Sequence, residues 1–249
     1  MSEKALQLKV HSIESFGTHD GPGIRLVVFL QGCNLKCLYC QNADTIAHEG
    51  GRLVDLDEIV RRAVNMKTYF GQHGGVTISG GEPLLQSKNL IHLFERLKGE
   101  GIHTNIDTNA TVAGRDAQKL ISSLADLVMF DVKHTSDTGF AQLTGHKALQ
   151  TAVKLIQLRE EAQKPFWLRY VLVPGYTDAD ESLRWLGEQF GKLRFLERLE
   201  LLPYHKLGQY KWEALGERYQ MEAVPENRPE QIEYAQRLLS NYFAQVICK

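Results

Sequence analysis

The sequence predicts an α/β protein built as an incomplete, open (β/α)6 barrel in a single domain over 1–249. Three observations predict it. Short apolar runs alternate with longer helical patterns along 249 residues, the rhythm of parallel strands joined by right-handed crossover helices. Six such units are countable, against the eight that close a barrel. No Pro/Gly/Ser-rich linker, low-complexity tract or internal repeat interrupts the chain, and this length suits one α/β domain.

Each element has its own signal. An extra N-terminal strand near 8–13 lies at one edge, and 26–30 (LVVFL) is the first strong strand. A helix follows over 56–69, with Asp55 as N-cap and Ile59, Ala63 and Met66 on one face. Strand 76–79 ends in Gly80-Gly81, and helix 89–98 is stopped by Gly99 and Gly101. Strand 102–107, helix 115–124 and strand 127–132 come next. Helix 149–161 leads to strand 166–173, stopped by Pro174-Gly175. Helix 180–190 precedes strand 198–202, which Pro203 stops, and a last helix over 229–243 belongs to a C-terminal capping segment.

Composition narrows the function classes. The net charge is −1, from 29 Lys+Arg against 30 Asp+Glu, which argues against a broad nucleic-acid footprint. No apolar run approaches the roughly 18–20 residues that span a bilayer. Residues 1–10 mix Glu3, Lys4, Gln7 and Lys9 among apolar residues, unlike a secretory signal. Four cysteines are too few for a disulfide scaffold at this length. Three of them, Cys33, Cys37 and Cys40, share one stretch, so they read as ligands in a reducing cytoplasm.

In parallel α/β folds the active site lies at the C-terminal ends of the strands. The unusual polar residues of this chain fall there. Strand 26–30 runs into the cysteines, and strand 76–79 into Ser79-Gly80-Gly81-Glu82-Pro83. The next two end in Asp107-Thr108-Asn109 and Asp131-Val132-Lys133. The fifth carries Arg169 and Tyr170, and the sixth is followed by Pro203-Tyr204-His205. One large site at a single rim accounts for all of them.

Taken alone, the cysteines leave three readings. Spacings of four and three fit a buried helical face, but Gly32 and Asn34 favour a loop after a strand. A structural zinc site wants four N/S ligands, usually as two separated pairs; there is no second pair, and His48 and His73 are lone candidates. Three thiolates on a short loop better suit three corners of a [4Fe–4S] cluster, leaving its fourth iron open.

The CxxxCxxC loop after the first strand, the Gly-Gly-Glu motif after the second and the barrel pattern resemble the radical S-adenosylmethionine (SAM) enzymes, whose fold is a partial TIM barrel. Thr18-His19-Asp20-Gly21-Pro22-Gly23-Ile24-Arg25 looks like the activases of glycyl radical enzymes. Arg169-Tyr170-Val171-Leu172-Val173-Pro174-Gly175, the stretch from Leu201 through Pro203-Tyr204-His205 to Gly208, Lys211-Trp212 and Leu215-Gly216 extend the likeness over nearly the whole chain. Residues 41–79 contain no Cys, so the likeness is to the short, single-cluster activases that lack a ferredoxin-like insert. One departure is Pro83, where Ala stands in related activases.

The resemblance implies one [4Fe–4S] cluster on Cys33, Cys37 and Cys40, with the SAM amino and carboxylate groups on the fourth iron. One electron then splits SAM into methionine and a 5′-deoxyadenosyl radical, which takes a hydrogen atom from a glycine Cα of the partner. Implied SAM contacts are Tyr39 near the adenine, Gln41, Asn42, Gly80 and Gly81 at the amino end, Asp107, Asp131, Val132 and Lys133, and His205. Strand alternation turns Arg169 toward the lumen. Asp20 suits the substrate glycine loop. Two carboxylates near a third repel unless a cation intervenes, so a monovalent cation is expected at Asp107 and Asp131, with Thr108 and the Met129 carbonyl nearby. The aromatic tail (Tyr204, Tyr210, Trp212, Tyr219, Tyr234, Tyr242) reads as core and capping surface, part of it for docking a partner.

The implied partner is a glycyl radical enzyme, pyruvate formate-lyase or a close relative. No strand leads into G-x-G-x-x-G, so flavodoxin or ferredoxin is expected as external reductant. A monomer, with neither nucleic acid nor membrane as partner, completes the expectation. The rivals are a small-molecule radical SAM enzyme of the deazapurine synthase kind and a non-catalytic iron–sulfur carrier. Cys248, far from the loop, is expected to be a bystander.

Overall fold

The structure, a computed structural model, describes residues 6–249. The described chain forms two compact units, each discontinuous in sequence. The first holds the described residues through Asn34 together with 45–108 and 112–129; the second holds 35–44, 109–111 and 130–249.

In the first unit the strands are β1 (Gln7–Gly17), β2 (Arg25–Leu30), β3 (Arg52–Asp55), β4 (Gly75–Gly80) and β5 (His103–Thr108), in spatial order β3-β1-β2-β4-β5, followed by β6 (Leu127–Asp131). β1 runs antiparallel to β2 and β3, whereas β2, β4 and β5 are parallel. The expected N-terminal edge strand thus exists, but the short β3 lies outside it. The helices are α1 (Leu56–Asn65), α2 (Lys67–Phe70), α3 (Ser87–Gly99) and α4 (Arg115–Lys119). α3 packs on α1, α4, β1 and β5, with Leu90, Leu93, Phe94 and Leu97 fully buried. Each such side chain contributes about 1.5–3 kcal/mol on leaving water.

Three expectations are corrected here. The helix expected over 56–69 breaks at Met66, whose N–H bonds back to Arg62 and Ala63, and α2 restarts from it. Asp55 holds the N-cap position without capping; its Oδ1 accepts from Gln7 Nε2 at 2.7 Å instead. The segment 115–124 changes to a π-turn at Leu120–Leu124, closed by Ala125 N–H on the Leu120 carbonyl at 2.9 Å.

In the second unit β7 (Phe166–Leu172), β8 (Leu196–Pro203) and β9 (Val246–Cys248) are parallel, and the order from β6 is β7-β8-β9. The helices are α5 (Asp137–Thr144), α6 (Leu149–Glu161), α7 (Asp180–Phe190), α8 (Gln209–Ala214) and α9 (Pro229–Leu239). α9 stops four residues short of the expected end, at Ser240. α5, α8 and β9 were not expected from the sequence. Cys248 lies in β9, beside Leu201 of β8. β3 is the terminal strand of the first unit and β9 that of the second.

Strand alternation sorts the side chains of the first unit. Leu26, Val28, Val76, Ile78 and Ile106 are buried apolar residues. Their neighbours in sequence, Arg25, Thr77, Ser79, Asn105 and Asp107, share the opposite face.

Candidate functional site

The first unit contributes Cys33 and the Gly-Gly-Glu turn, zipped together by backbone. Gly32 N–H donates to the Thr45 carbonyl at 2.8 Å, and Cys33 N–H to that of Ile46 at 3.0 Å. From the other side Gly81 N–H bonds the Leu30 carbonyl and Glu82 N–H the Gly32 carbonyl, both at 2.9 Å. A Cβ on Gly81 would stand 2.1 Å from the Gly32 oxygen, and one on Gly80 (φ +100) 2.4 Å from Leu30 N. Glycine is required at both positions for this approach. Gly81 N–H is spent on the Leu30 carbonyl, so a ligand's amino group is left to address carbonyls.

Glu82 is fully buried. Its Oε1 accepts from Leu84 N–H at 2.9 Å and from Thr108 Oγ1 at 2.7 Å, tying the end of β4 to the end of β5. Ser79 Oγ donates to Asp107 Oδ2 at 3.1 Å. Asp107 and Thr108 are therefore set by neighbours on the same two strand ends. Met129, fully buried, lies two residues before the end of β6. Asp20 lies lower on the strands: its carbonyl accepts from Thr77 Oγ1 at 2.6 Å and Asn105 Nδ2 at 3.1 Å.

The second unit contributes the rest of the cysteine loop. Leu143 and Thr144, at the end of α5, hold Leu38 N–H and Lys36 N–H at 2.9 and 3.0 Å, and Cys40 N–H closes a turn on the Cys37 carbonyl at 3.0 Å. α8 clamps the next residues. Trp212 Nε1 donates to the Cys40 carbonyl at 3.0 Å, and Lys211 Nζ to Asn42 Oδ1 and Asp44 Oδ1, both at 3.1 Å. Gly208 lies so close that a Cβ would meet Gln41 Cα at 2.7 Å. Gln41 Nε2 donates to the His205 carbonyl at 2.9 Å. The loop and the exit of β8 are thus brought together, with the His205 side chain exposed.

Cys37 and Tyr39 are buried. Burial pushes the Cys37 thiol up to about 12 against the opposing charge of Lys133, so ligation has to displace a proton from it. Burial likewise raises the Tyr39 phenol. Lys133 Nζ sits 5.6 Å from the Tyr39 ring centroid and 2.5 Å from Asp131 Oδ2. Burial alone would lower the Lys133 ammonium, but Asp131 outweighs it and holds it above the ordinary range. Asp131 Oδ1 and the Tyr39 hydroxyl are buried without a hydrogen-bond partner among the described residues. Unmet buried polar atoms are costly, and both suit a polar ligand at the end of β6.

Val132 N–H donates to the Arg169 carbonyl at 2.9 Å. The Arg169 side chain is turned to Glu200, Nε to Oε2 at 2.9 Å. Glu200, fully buried, also meets Arg198 at 2.7 Å and Lys249 at 2.8 Å. Burial alone would raise its carboxyl; Arg169, Lys249 and Arg198 outweigh burial and hold it below the usual range.

Sequence reading missed several of these roles. Glu82 stands inside the recognised motif, yet its partners Leu84 and Thr108 are set by a turn no spacing reveals. Glu200 reads as one polar residue in an apolar strand, which was the available signal. The clamp by Trp212, Lys211 and Gly208 joins residues about 170 apart (Trp212 to Cys40, 172) and left no local trace. Among the described residues, no group of three or more His, Cys, Asp or Glu gathers around a single metal ion. A cluster gives each thiolate its own iron, so its ligands need not converge on one point.

The profile of the Radical SAM superfamily matches residues 27–186. Pyruvate formate-lyase-activating enzymes are similar over nearly the whole chain. That of Streptococcus mutans is 40% identical over 237 residues, 92% of this chain and 90% of the relative. That of Staphylococcus epidermidis is 43% identical over 238 residues, 93% and 94% of the two chains. Among solved structures, a domain of pyruvate-formate lyase-activating enzyme from Bacteroides vulgatus superposes with a TM-score of 0.59 at 24% identity, over 71% of this chain and 99% of that one. Streptococcus suis SuiB bound to S-adenosylmethionine gives 0.64 at 15% identity, over 87% and 48%; at these identities the likeness is one of fold. With three cysteines on a loop zipped to a Gly-Gly-Glu turn, this chain belongs to the radical SAM superfamily and, within it, to the pyruvate formate-lyase-activating enzymes.

Proposed function

We propose that the chain activates pyruvate formate-lyase by removing one hydrogen atom from a glycine Cα, leaving a glycyl radical on the partner. The observation that carries this reading is the match of more than nine-tenths of the chain to activating enzymes. The superfamily match runs through residues of both compact units, which supports one functional domain over 1–249. A [4Fe–4S] cluster and SAM follow from the family. The donor set fits them: three thiols, two unmet buried oxygens on Asp131 and Tyr39, and a charged Lys133. When bound, they supply one-electron cleavage of the sulfonium C–S bond, giving methionine and the carbon radical that becomes 5′-deoxyadenosine as it takes the glycine hydrogen.

The residues divide the remaining work. Cys33, Cys37 and Cys40 hold the irons. Gly80 and Gly81 present carbonyls to the SAM amino group, and Lys133 neutralises its carboxylate. Asp131 accepts from hydroxyls with the oxygen that Lys133 leaves unused. Tyr39 covers the adenine, and Gln41, Asn42 and Val132 set the walls, held by the His205 carbonyl, the Lys211 ammonium and the Arg169 carbonyl. Arg169, held by Glu200, and His205 close the rim over SAM, and Asp20 grips the glycine loop. A monovalent cation is proposed at Asp107, Thr108, the Met129 carbonyl and Asp131; SAM affinity that is indifferent to exchange of sodium, potassium and a bulky organic cation would overturn it. An external one-electron donor, flavodoxin or ferredoxin, a monomeric state and a cytoplasmic setting complete the proposal, the last supported by three closely spaced thiols that need reducing conditions.

The test is anaerobic reconstitution with iron and sulfide, then reduction with SAM. Formation of 5′-deoxyadenosine is expected, and its absence refutes the reading.

A further inference from the structure

The loop Asp20–Gly23 is fastened to the polar face of the first unit's strands with unusual completeness. Arg25 is fully buried, and its guanidinium donates to Thr77 Oγ1, the Pro22 carbonyl at 2.9 Å, the Val76 carbonyl at 2.8 Å and the His73 carbonyl at 3.3 Å, with His103 Nδ1 at 3.3 Å. Thr77 donates its hydroxyl hydrogen bond to the Asp20 carbonyl, and Asn105 Nδ2 donates to the same oxygen. Gly21 (φ +126) lies so close that a Cβ would stand 2.9 Å from Arg25 Cδ and 3.0 Å from Asn105 Nδ2. Asn105 is one of the loop's walls.

Asn105 is itself fully buried, and its Oδ1 has no hydrogen-bond partner among the described residues. An amide with one unmet buried oxygen is a poor choice for stability, since an apolar side chain of the same shape leaves nothing unsatisfied. Its N–H2 group, by contrast, donates to the Asp20 carbonyl at 3.1 Å and to Thr77 Oγ1, itself bonded to that carbonyl, at 3.3 Å. Thr77 and Asn105 pair across β4 and β5, one same-face step, about 7 Å along the strands, before Ser79 and Asp107. The fixed oxygen therefore holds Asp20 immediately beneath the strand-end residues.

We infer that Asn105 is a positioning residue for the partner: it holds the Asp20 loop in the pose that receives the glycine segment, at a cost in stability. The inference rests on the proposed role of Asp20 in gripping that segment. It is tested with reconstituted protein carrying Asn105→Leu, which keeps the shape and removes both polar atoms, and with Asn105→Asp, which puts an acceptor oxygen in place of the N–H2 donors. Asp20→Ala is run in parallel. Asn105→Leu is expected to hold or raise the melting temperature and to leave 5′-deoxyadenosine formation without partner unchanged. The KM for pyruvate formate-lyase in glycyl radical formation, and its Kd by surface plasmon resonance, should rise about tenfold. Asn105→Asp should show the same rise. If Asp20→Ala weakens the partner while both Asn105 variants bind it as the parent does, the inference fails alone. If Asp20→Ala has no effect, the reading of Asp20 fails and takes the inference with it. A lowered melting temperature in Asn105→Leu that accounts for the lost activity makes Asn105 merely structural and also overturns it.

Discussion

Glu82 carries more of the site than its place in a turn suggests. Its carboxylate is buried and accepts from both Leu84 N–H and Thr108 Oγ1. Glu82→Ala strands both donors and should cost about 2–4 kcal/mol of stability in urea unfolding, with Asp107 and Thr108 losing their setting. The cysteines divide cleanly by location. Replacing Cys33, Cys37 or Cys40 by Ala should remove most of the iron and sulfide retained after reconstitution. Cys248→Ser, in β9, should leave both at the parent level. Cys33, Cys37 and Cys40 stood out in the sequence because they share one short loop, and the resemblance then gave them their proposed role as ligands. The role of Glu82 was not legible, since it depends on a hydroxyl 26 residues away.

The decisive element is α8, a six-residue helix that fixes the cysteine loop by one indole and one ammonium. Trp212→Phe keeps the ring and loses the bond to the Cys40 carbonyl. It should cost about 1 kcal/mol and speed iron loss to a chelator. Gly208→Ala, whose Cβ would meet Gln41 Cα at 2.7 Å, should have a larger effect of the same kind. The sequence hid α8, α5, β3 and β9 because each is too short for periodicity to accumulate, whereas α6 and α7 matched their expected bounds because eleven or more residues repeat one buried face. The split at Met66 and the π-turn at Leu120 are decisions of tertiary packing that propensity does not record.

At the scale of the whole molecule, strand alternation builds the active face. Apolar residues on one side of β2, β4 and β5 hold the helices, and Phe94→Ala there should cost about 3–5 kcal/mol. The opposite side is left for polar work. Glu200 adds a pH dependence. Its carboxyl is held below the usual range by three cations, so its contribution is fully present above the ordinary value of 4.5 and is lost as pH falls through the lowered one. Glu200→Gln should flatten the acid limb of a stability-against-pH curve. The parallel direction of β2, β4 and β5 was readable from the alternation of apolar runs with helices, whereas the place of β3 outside β1 was not. The side-chain bond that sets Arg169 against Glu200 was not readable either, because facing residues on neighbouring strands carry no mark of their pairing.

The most direct measurement is electron paramagnetic resonance of the reconstituted, reduced protein mixed anaerobically with SAM and pyruvate formate-lyase. The account predicts a glycyl radical signal on pyruvate formate-lyase, formed in step with 5′-deoxyadenosine. Production of 5′-deoxyadenosine with a silent partner spectrum would contradict it.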